Sequence, residues 1–356
     1  MGWQRGHTIG RGSSATVSTA TCCAGGGVFA VKSAEVSQSE CLKREQKILS
    51  SLSSPYVVAY KGCDVTMDNN KLLFNLFMEY MPFGTVAQAT RRHGGRLEEA
   101  AMARYTRQIV QGLEYLHSKE LVHCDIKGAN ILIGEDGVKI GDLGCAKSVV
   151  DSAVVIGGTP MFMAPEVARG EEQGCASDIW SLGCTVVEMA TGNAPWPSVE
   201  DPFSVLYRIA YSGEVPEIPC FLSEEAKDFL GKCLRRNPEE RWKASELLKH
   251  PFIGKSCSNK NKEVLESNSS SSPTSVLEPC FWRSVEESES VGDLIHNPRK
   301  FELFAAGRVR MLALSSGVPC WAQHDDEDWI TARGNGGKGF GNGGAGTASG
   351  SHELSH

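Results

Sequence analysis

The sequence has no apolar run approaching the roughly 18–20 residues that a membrane span requires, and residues Met1 to Gly6 lack the apolar core of a signal peptide. Gly2 invites comparison with a myristoylation motif, but Gly6 stands where that motif needs Ser or Thr. Nor is there an excess of basic residues. The 36 Lys and Arg face 43 Asp and Glu, for a net charge of −7, and neither the first 253 residues nor the remainder is basic. That excludes a bulk electrostatic grip on nucleic acid or on an anionic membrane, and no membrane insertion is expected. The 13 cysteines contain no Cys-x-x-Cys pair. A secreted disulfide framework and a zinc site both demand tighter spacing, so reduced thiols are expected, in the cytoplasm, the nucleus or both. His352-Glu353-Leu354-Ser355-His356 does spell a zinc-protease pattern. It directly follows a glycine-rich tract where nothing nucleates a helix, and no third ligand is placed, so it reads as chance.

What is present is the composition of a globular chain: 356 residues, 41% hydrophobic and 22% charged. Up to about Phe252, β-rich runs precede helical ones. Phe29 to Lys32 and Leu73 to Met78 read as strands. Ala101 to His117 reads as a helix, with Tyr105, Ile109, Leu113 and Leu116 at three- and four-residue intervals. Ser223 reads as a helix N-cap, with Glu224 and Glu225 in the first turn. Strands dominate the first third and helices the rest, which predicts an α+β fold with a small sheet lobe and a larger helical lobe. Beyond Phe252 the texture changes. Ser267 to Ser275 is mostly Ser, with Asn, Pro and Thr, Gly334 to Gly346 is mostly Gly, and only short apolar islands lie between them, at Phe281-Trp282 and Phe301 to Phe304. Such tracts bury too little apolar surface to offset ordering entropy, so residues 254–356 are expected to form a mostly disordered regulatory tail.

Five motifs carry chemistry. Gly10-Arg11-Gly12-Ser13-Ser14-Ala15-Thr16-Val17 is a glycine-rich turn of the kind that lets backbone N–H groups approach phosphate. Lys32 ends a strand-like run, and Glu45 lies in a helical stretch from Leu42 to Leu52; a lysine buried beside a glutamate stays charged and can clamp phosphates. His123-Cys124-Asp125-Ile126-Lys127-Gly128-Ala129-Asn130 supplies a proton acceptor, a phosphate counter-charge and a metal ligand. Asp142-Leu143-Gly144 adds a carboxylate for Mg2+, and Ala164-Pro165-Glu166 follows.

Together these residues resemble the full protein-kinase signature set, in order and over Trp3 to Phe252. The resemblance implies a bilobal kinase fold with a kinase domain at residues 3–253, and ATP and Mg2+ as cofactors. It implies that Ile9, Gly10, Arg11, Gly12, Ser13, Ser14, Ala15, Thr16 and Val17 bind ATP, with Gly10, Gly12 and the backbone to Val17 over the phosphates, and that Lys32 pairs with the phosphates and with Glu45. Val17, Ala30 and Leu132 would sandwich adenine, Met78 would gate the pocket, and Glu79 and Met81 would offer hinge bonds. Asp125 would accept the substrate proton, Lys127 would steady the γ-phosphate, and Asn130 and Asp142 would hold Mg2+. Glu166 would pair with Arg241, and Asp178 would brace the catalytic loop.

Lys127 with Gly158-Thr159 resembles Ser/Thr kinases, and the absence of carboxylates at Thr85 and Ala129 speaks against arginine-directed substrates. Gly158 to Glu166 and Asp178 to Gly192 resemble MEKK-type MAP kinase kinase kinases, and details including His123 to Asn130 and Met78 to Gly84 are most similar to a compact plant clade of that group linked to stress and abscisic acid signalling. The implied substrates are MAP kinase kinases, with regulators binding the tail. A Ste20-like kinase one tier higher is the rival reading. A pseudokinase scaffold conflicts with the intact Lys32, Asp125, Asn130 and Asp142. Cys124 replaces the Arg most kinases carry there, which predicts weak dependence on loop phosphorylation.

Overall fold

The computed structural model describes residues 2–12, 15–23, 25, 27–150, 157–197 and 201–254. Ser13, Ser14, Ser152, the tail from residue 255 and the His352–His356 pattern lie outside the described residues.

The first part is a five-stranded antiparallel sheet: β1 (Trp3–Arg11), β2 (Thr16–Cys22), β3 (Val28–Glu35), β4 (Tyr60–Asp68) and β5 (Lys71–Glu79), in the order β1-β2-β3-β5-β4. Both strands expected from β-branched and aromatic runs fall inside β3 and β5. Their pairing sets Lys32 opposite Leu76 and Ala30 opposite Met78. The single helix beside this sheet, α1 (Glu40–Ser50), is amphipathic and buries Leu42, Glu45 and Leu49. It starts two residues before the expected stretch and ends two before Leu52.

The second part is helical: α2 (Val86–Arg92), α3 (Glu99–Ser118), α4 (Pro165–Ala168), α5 (Cys175–Thr191), α6 (Pro202–Tyr211), α7 (Glu224–Cys233), α8 (Ala244–Leu247) and α9 (Pro251–Gly254). Two small ribbons accompany it. The first joins β6 (Leu121–Val122) to β9 (Lys147–Ser148), the second β7 (Ile131–Gly134) to β8 (Gly137–Ile140). Helix α3 presents Met102, Ile109, Val110, Leu113 and Leu116 to the core at helical spacing. Helix α5 is buried almost all round, Trp180 included, which is why its sequence shows little amphipathic contrast. It ends at Gly192, whose φ of +69° suits glycine, and a Cβ there would sit 2.0 Å from the Gly95 carbonyl. Ser223 caps α7 as its position suggests, accepting a hydrogen bond from the Ala226 N–H at 3.1 Å.

The two parts are tied side by side. Val58 N–H donates to the Ile140 carbonyl at 2.9 Å, and Ile140 N–H donates to the Tyr56 carbonyl at 2.8 Å. Lys139 Nζ bonds both carboxylate oxygens of Glu79, at 2.7 and 2.8 Å. No described helix is long and apolar enough to cross a membrane.

Candidate active site

A cleft of about 600 Å³ opens between the sheet and the helical part. Its roof is the β1–β2 turn, closed by a hydrogen bond from Gly12 N–H to the Ala15 carbonyl at 2.8 Å. Ile9, Gly10, Arg11, Gly12, Ala15 and Val17 line it. Thr16 does not; it pairs with Arg11 and Ser33 within the sheet. Ala30, Met78 and Leu132 supply apolar walls, and Met81 closes the hinge side. The N–H of Glu79 is spent on the Ala59 carbonyl at 2.9 Å, so a ligand at the hinge is left with other backbone groups.

Charged groups converge on the inner end. Lys32 Nζ lies 2.8 Å from Glu45 Oε2 and 2.9 Å from Asp142 Oδ1. Burial pulls the Lys32 pKa down, but the Asp142 and Glu45 carboxylates outweigh it and hold the ammonium charged. The Lys32 charge in turn keeps the Asp142 carboxyl well below the usual carboxylate range, against the opposing effect of burial. Glu45 goes the other way, because burial raises its pKa and Lys32 only partly counters that. Asp142 adopts the left-handed region with φ +55°, which its short polar side chain tolerates. Leu143 beside it is fully buried in the core, so an apolar side chain fills the place where most kinases have Phe.

The segment from His123 to Asn130 sits between β6 and β7, braced from below. Asp178, fully buried on α5, accepts the His123 and Cys124 N–H groups, each at 2.9 Å. Asp125 faces the cleft with its carboxylate tied down. Oδ2 accepts from Asn130 Nδ2 at 2.9 Å and from Lys127 Nζ at 2.8 Å, and Oδ1 accepts from the Thr159 hydroxyl at 2.7 Å. Lys127 Nζ also donates to Thr159 Oγ1 at 2.6 Å.

The protein kinase domain family matches residues 3–253. The chain is 51% identical to mitogen-activated protein kinase kinase kinase 18 of Arabidopsis thaliana, over 94% of its own length and all of that protein. It is 54% identical to mitogen-activated protein kinase kinase kinase 17 of the same plant, over 81% of its length and 78% of that protein's. The chain belongs to the protein kinase family. Within it, the chain groups with the mitogen-activated protein kinase kinase kinases, Ser/Thr kinases that use ATP.

Other residues of the kinase reach the site through tertiary structure alone. Val58, from the approach to β4, lies beside Gly141 and lines the cleft with no local motif to announce it. Thr85, one of the two positions without the carboxylate of basophilic kinases, is the N-cap of α2 and accepts from Gln88 N–H at 3.2 Å. Glu166, at the end of the activation segment (residues 142–166), forms a bidentate pair with Arg241 at 2.6 Å. Gln173 bridges that segment to the catalytic loop, a contact with no sequence signature. Among the described residues no cluster of three or more His, Cys, Asp or Glu could hold a metal unaided.

Proposed function

We propose that this kinase transfers the γ-phosphate of ATP to activation-loop Ser and Thr residues of MAP kinase kinases, in stress or abscisic acid signalling. The observation that carries the reading is the convergence of Lys32, Glu45, Asp125, Lys127, Asn130 and Asp142 on one cleft, although Lys32 and Asp142 are 110 residues apart in sequence. Lys32, kept charged by its two carboxylates, holds the α- and β-phosphates, with the backbone of Gly10 to Gly12 over them. Asp125 takes the proton of the incoming hydroxyl, and its fixed position is the main contribution the protein makes to that step. Lys127 sits between Asp125 and Thr159 and offsets negative charge on the transferred group.

The residues at hand also fit Mg2+. Asn130 spends its Nδ2–H groups on the Asp125 carbonyl and carboxylate, which leaves its amide oxygen as an acceptor. Asp142 is ionised, and its side chain is half exposed in the same cleft. Oxygen donors of this kind, completed by phosphate and water, are what Mg2+ takes. Bound there, the ion would neutralise charge shared between the β- and γ-phosphates.

Support for the kinase kinase kinase tier comes from the names of the relatives and from the match over residues 158–166 and 178–192. The kinase domain is assigned to residues 3–253, and residues 254–356 are assigned as a tail whose apolar islands receive regulators. Incubation of the purified chain with ATP, Mg2+ and a panel of plant MAP kinase kinases, followed by phosphosite mapping, tests the reading. Activation-loop phosphorylation of at least one member is expected. A chain acting one tier higher, in the Ste20-like manner, would modify none of them there.

A further inference from the structure

Cys124 occupies the position beside the catalytic aspartate, with φ +68° and its side chain buried. Burial pushes its thiol pKa up, so it is neutral, and its Sγ points back to the Val122 carbonyl at 3.6 Å. No cation at this position is available to hold a phosphate on the activation segment. Something else fastens the segment.

Gln173, just ahead of α5 and only 5% exposed, uses its whole side-chain amide for that purpose. Its Nε2 donates to the Gly157 carbonyl at 3.1 Å and to the Cys124 carbonyl at 3.3 Å, and its Oε1 accepts from Gly157 N–H at 3.3 Å. One amide thus pairs with both backbone groups of Gly157 and, at the same time, with the carbonyl of the residue preceding Asp125. The adjoining Gly158 passes so close that a Cβ there would stand 2.4 Å from the Cys124 carbonyl oxygen, and its φ of +114° is glycine territory. Thr159 then bonds the Asp125 carboxylate. The three residues Gly157 to Thr159 are therefore stitched to Cys124 and Asp125 without a phosphate: Gly157 through the neutral Gln173 amide, and Thr159 through its hydroxyl, which meets the Asp125 carboxylate and the Lys127 ammonium. Buried amides are costly to leave unpaired, so the stitch holds whether or not the segment is phosphorylated.

We propose that Gln173 is a positioning residue that anchors the activation segment to the catalytic loop in place of a phosphate–cation contact, so that Asp125 is set for transfer without loop phosphorylation. The inference rests on the role assigned to Asp125 above. It places control of this kinase outside the activation segment, in its abundance, its tail or its partners.

The test uses the full chain in three forms: wild type, Gln173→Met, which keeps the volume and removes all three hydrogen bonds, and Gln173→Glu, which keeps the acceptor and removes the donors. Each is assayed before and after phosphatase treatment, with Ser148, Ser152 and Thr159 mapped for phosphate. Transfer to a MAP kinase kinase and slow ATP hydrolysis are both read, so that a wrong substrate would silence the first and not the second. Wild type is expected to lose less than tenfold on dephosphorylation. Gln173→Met is expected to lose ten- to a hundredfold in kcat with KM for ATP within twofold of wild type, because the nucleotide contacts are untouched; tenfold corresponds to about 1.4 kcal/mol. Should Gln173→Met fail to fold, the same kcat loss in Gln173→Glu decides. A loss of more than tenfold when wild type is dephosphorylated, or wild-type kcat in the folded variant, overturns the proposal.

Discussion

Glu166→Ala breaks a fully buried ion pair between Glu166 and Arg241. Arg241 has no exposed side-chain surface, and its guanidinium makes every bond it can: Nη1 and Nη2 to Glu166 at 2.6 Å, and further bonds to the carbonyls of Ala176, Arg235 and Arg236. It also lies over the Trp180 ring, 5.3 Å from the centroid. Removing the carboxylate leaves a buried cation without its counter-charge, a loss of about 3–5 kcal/mol. A domain of this size loses roughly 2–4 °C in Tm per kcal/mol, so a drop on the order of 6–20 °C is expected by calorimetry. Arg241→Met should cost more, because it strands the Glu166 carboxylate and three backbone carbonyls as well. The double variant Glu166→Ala/Arg241→Met removes both charges, and its loss should fall short of the summed single losses by about 2 kcal/mol or more, the coupling expected of a direct pair. A Glu166→Ala cost below about 1 kcal/mol, or strict additivity in the cycle, would refute the view that this pair is fully desolvated.

Lys32→Met and Asp125→Asn should each abolish nearly all radiolabel transfer while leaving Tm within a few degrees, since both lie in the cleft and not in the core; wild-type turnover in either would remove that residue from the assigned machinery. The depressed pKa of Asp142 means that its ion pair with Lys32 contributes stability above the ordinary carboxylate range and loses it as pH falls through that range and below. Asp142→Asn should therefore narrow its stability gap from wild type as pH drops from about 5 towards 2, as read by chemical denaturation. Gly158→Ala should cut kcat by at least tenfold, because the new Cβ must displace the Cys124 carbonyl; an unchanged rate would mean the segment shifts freely. Truncation after Gly254 should leave a folded, active kinase with altered regulation, and an insoluble product would make the tail part of the fold.

Much of this protein was legible in its sequence because the signals involved are local. The β-branched and aromatic runs that mark β3 and β5, the spacing that marks α3, and the cap at Ser223 depend on neighbours within a few residues. So do the glycine-rich turn and the catalytic motif, each of which orders its groups along a few consecutive positions. Their assembly into one cleft was legible only by resemblance to a family, not from the residues alone. What tertiary structure decided is of another kind. Thr16, inside the motif, does not line the cleft, whereas Val58, outside every motif, does. Lys139 meets Glu79 across 60 residues, and Gln173 meets Cys124 across 49. A lone Gln before a helix carries no periodicity, charge or turn signal. Its importance comes from buried backbone groups of two distant segments that have to be paired, and only the packing of those segments determines which side chain is there to pair them.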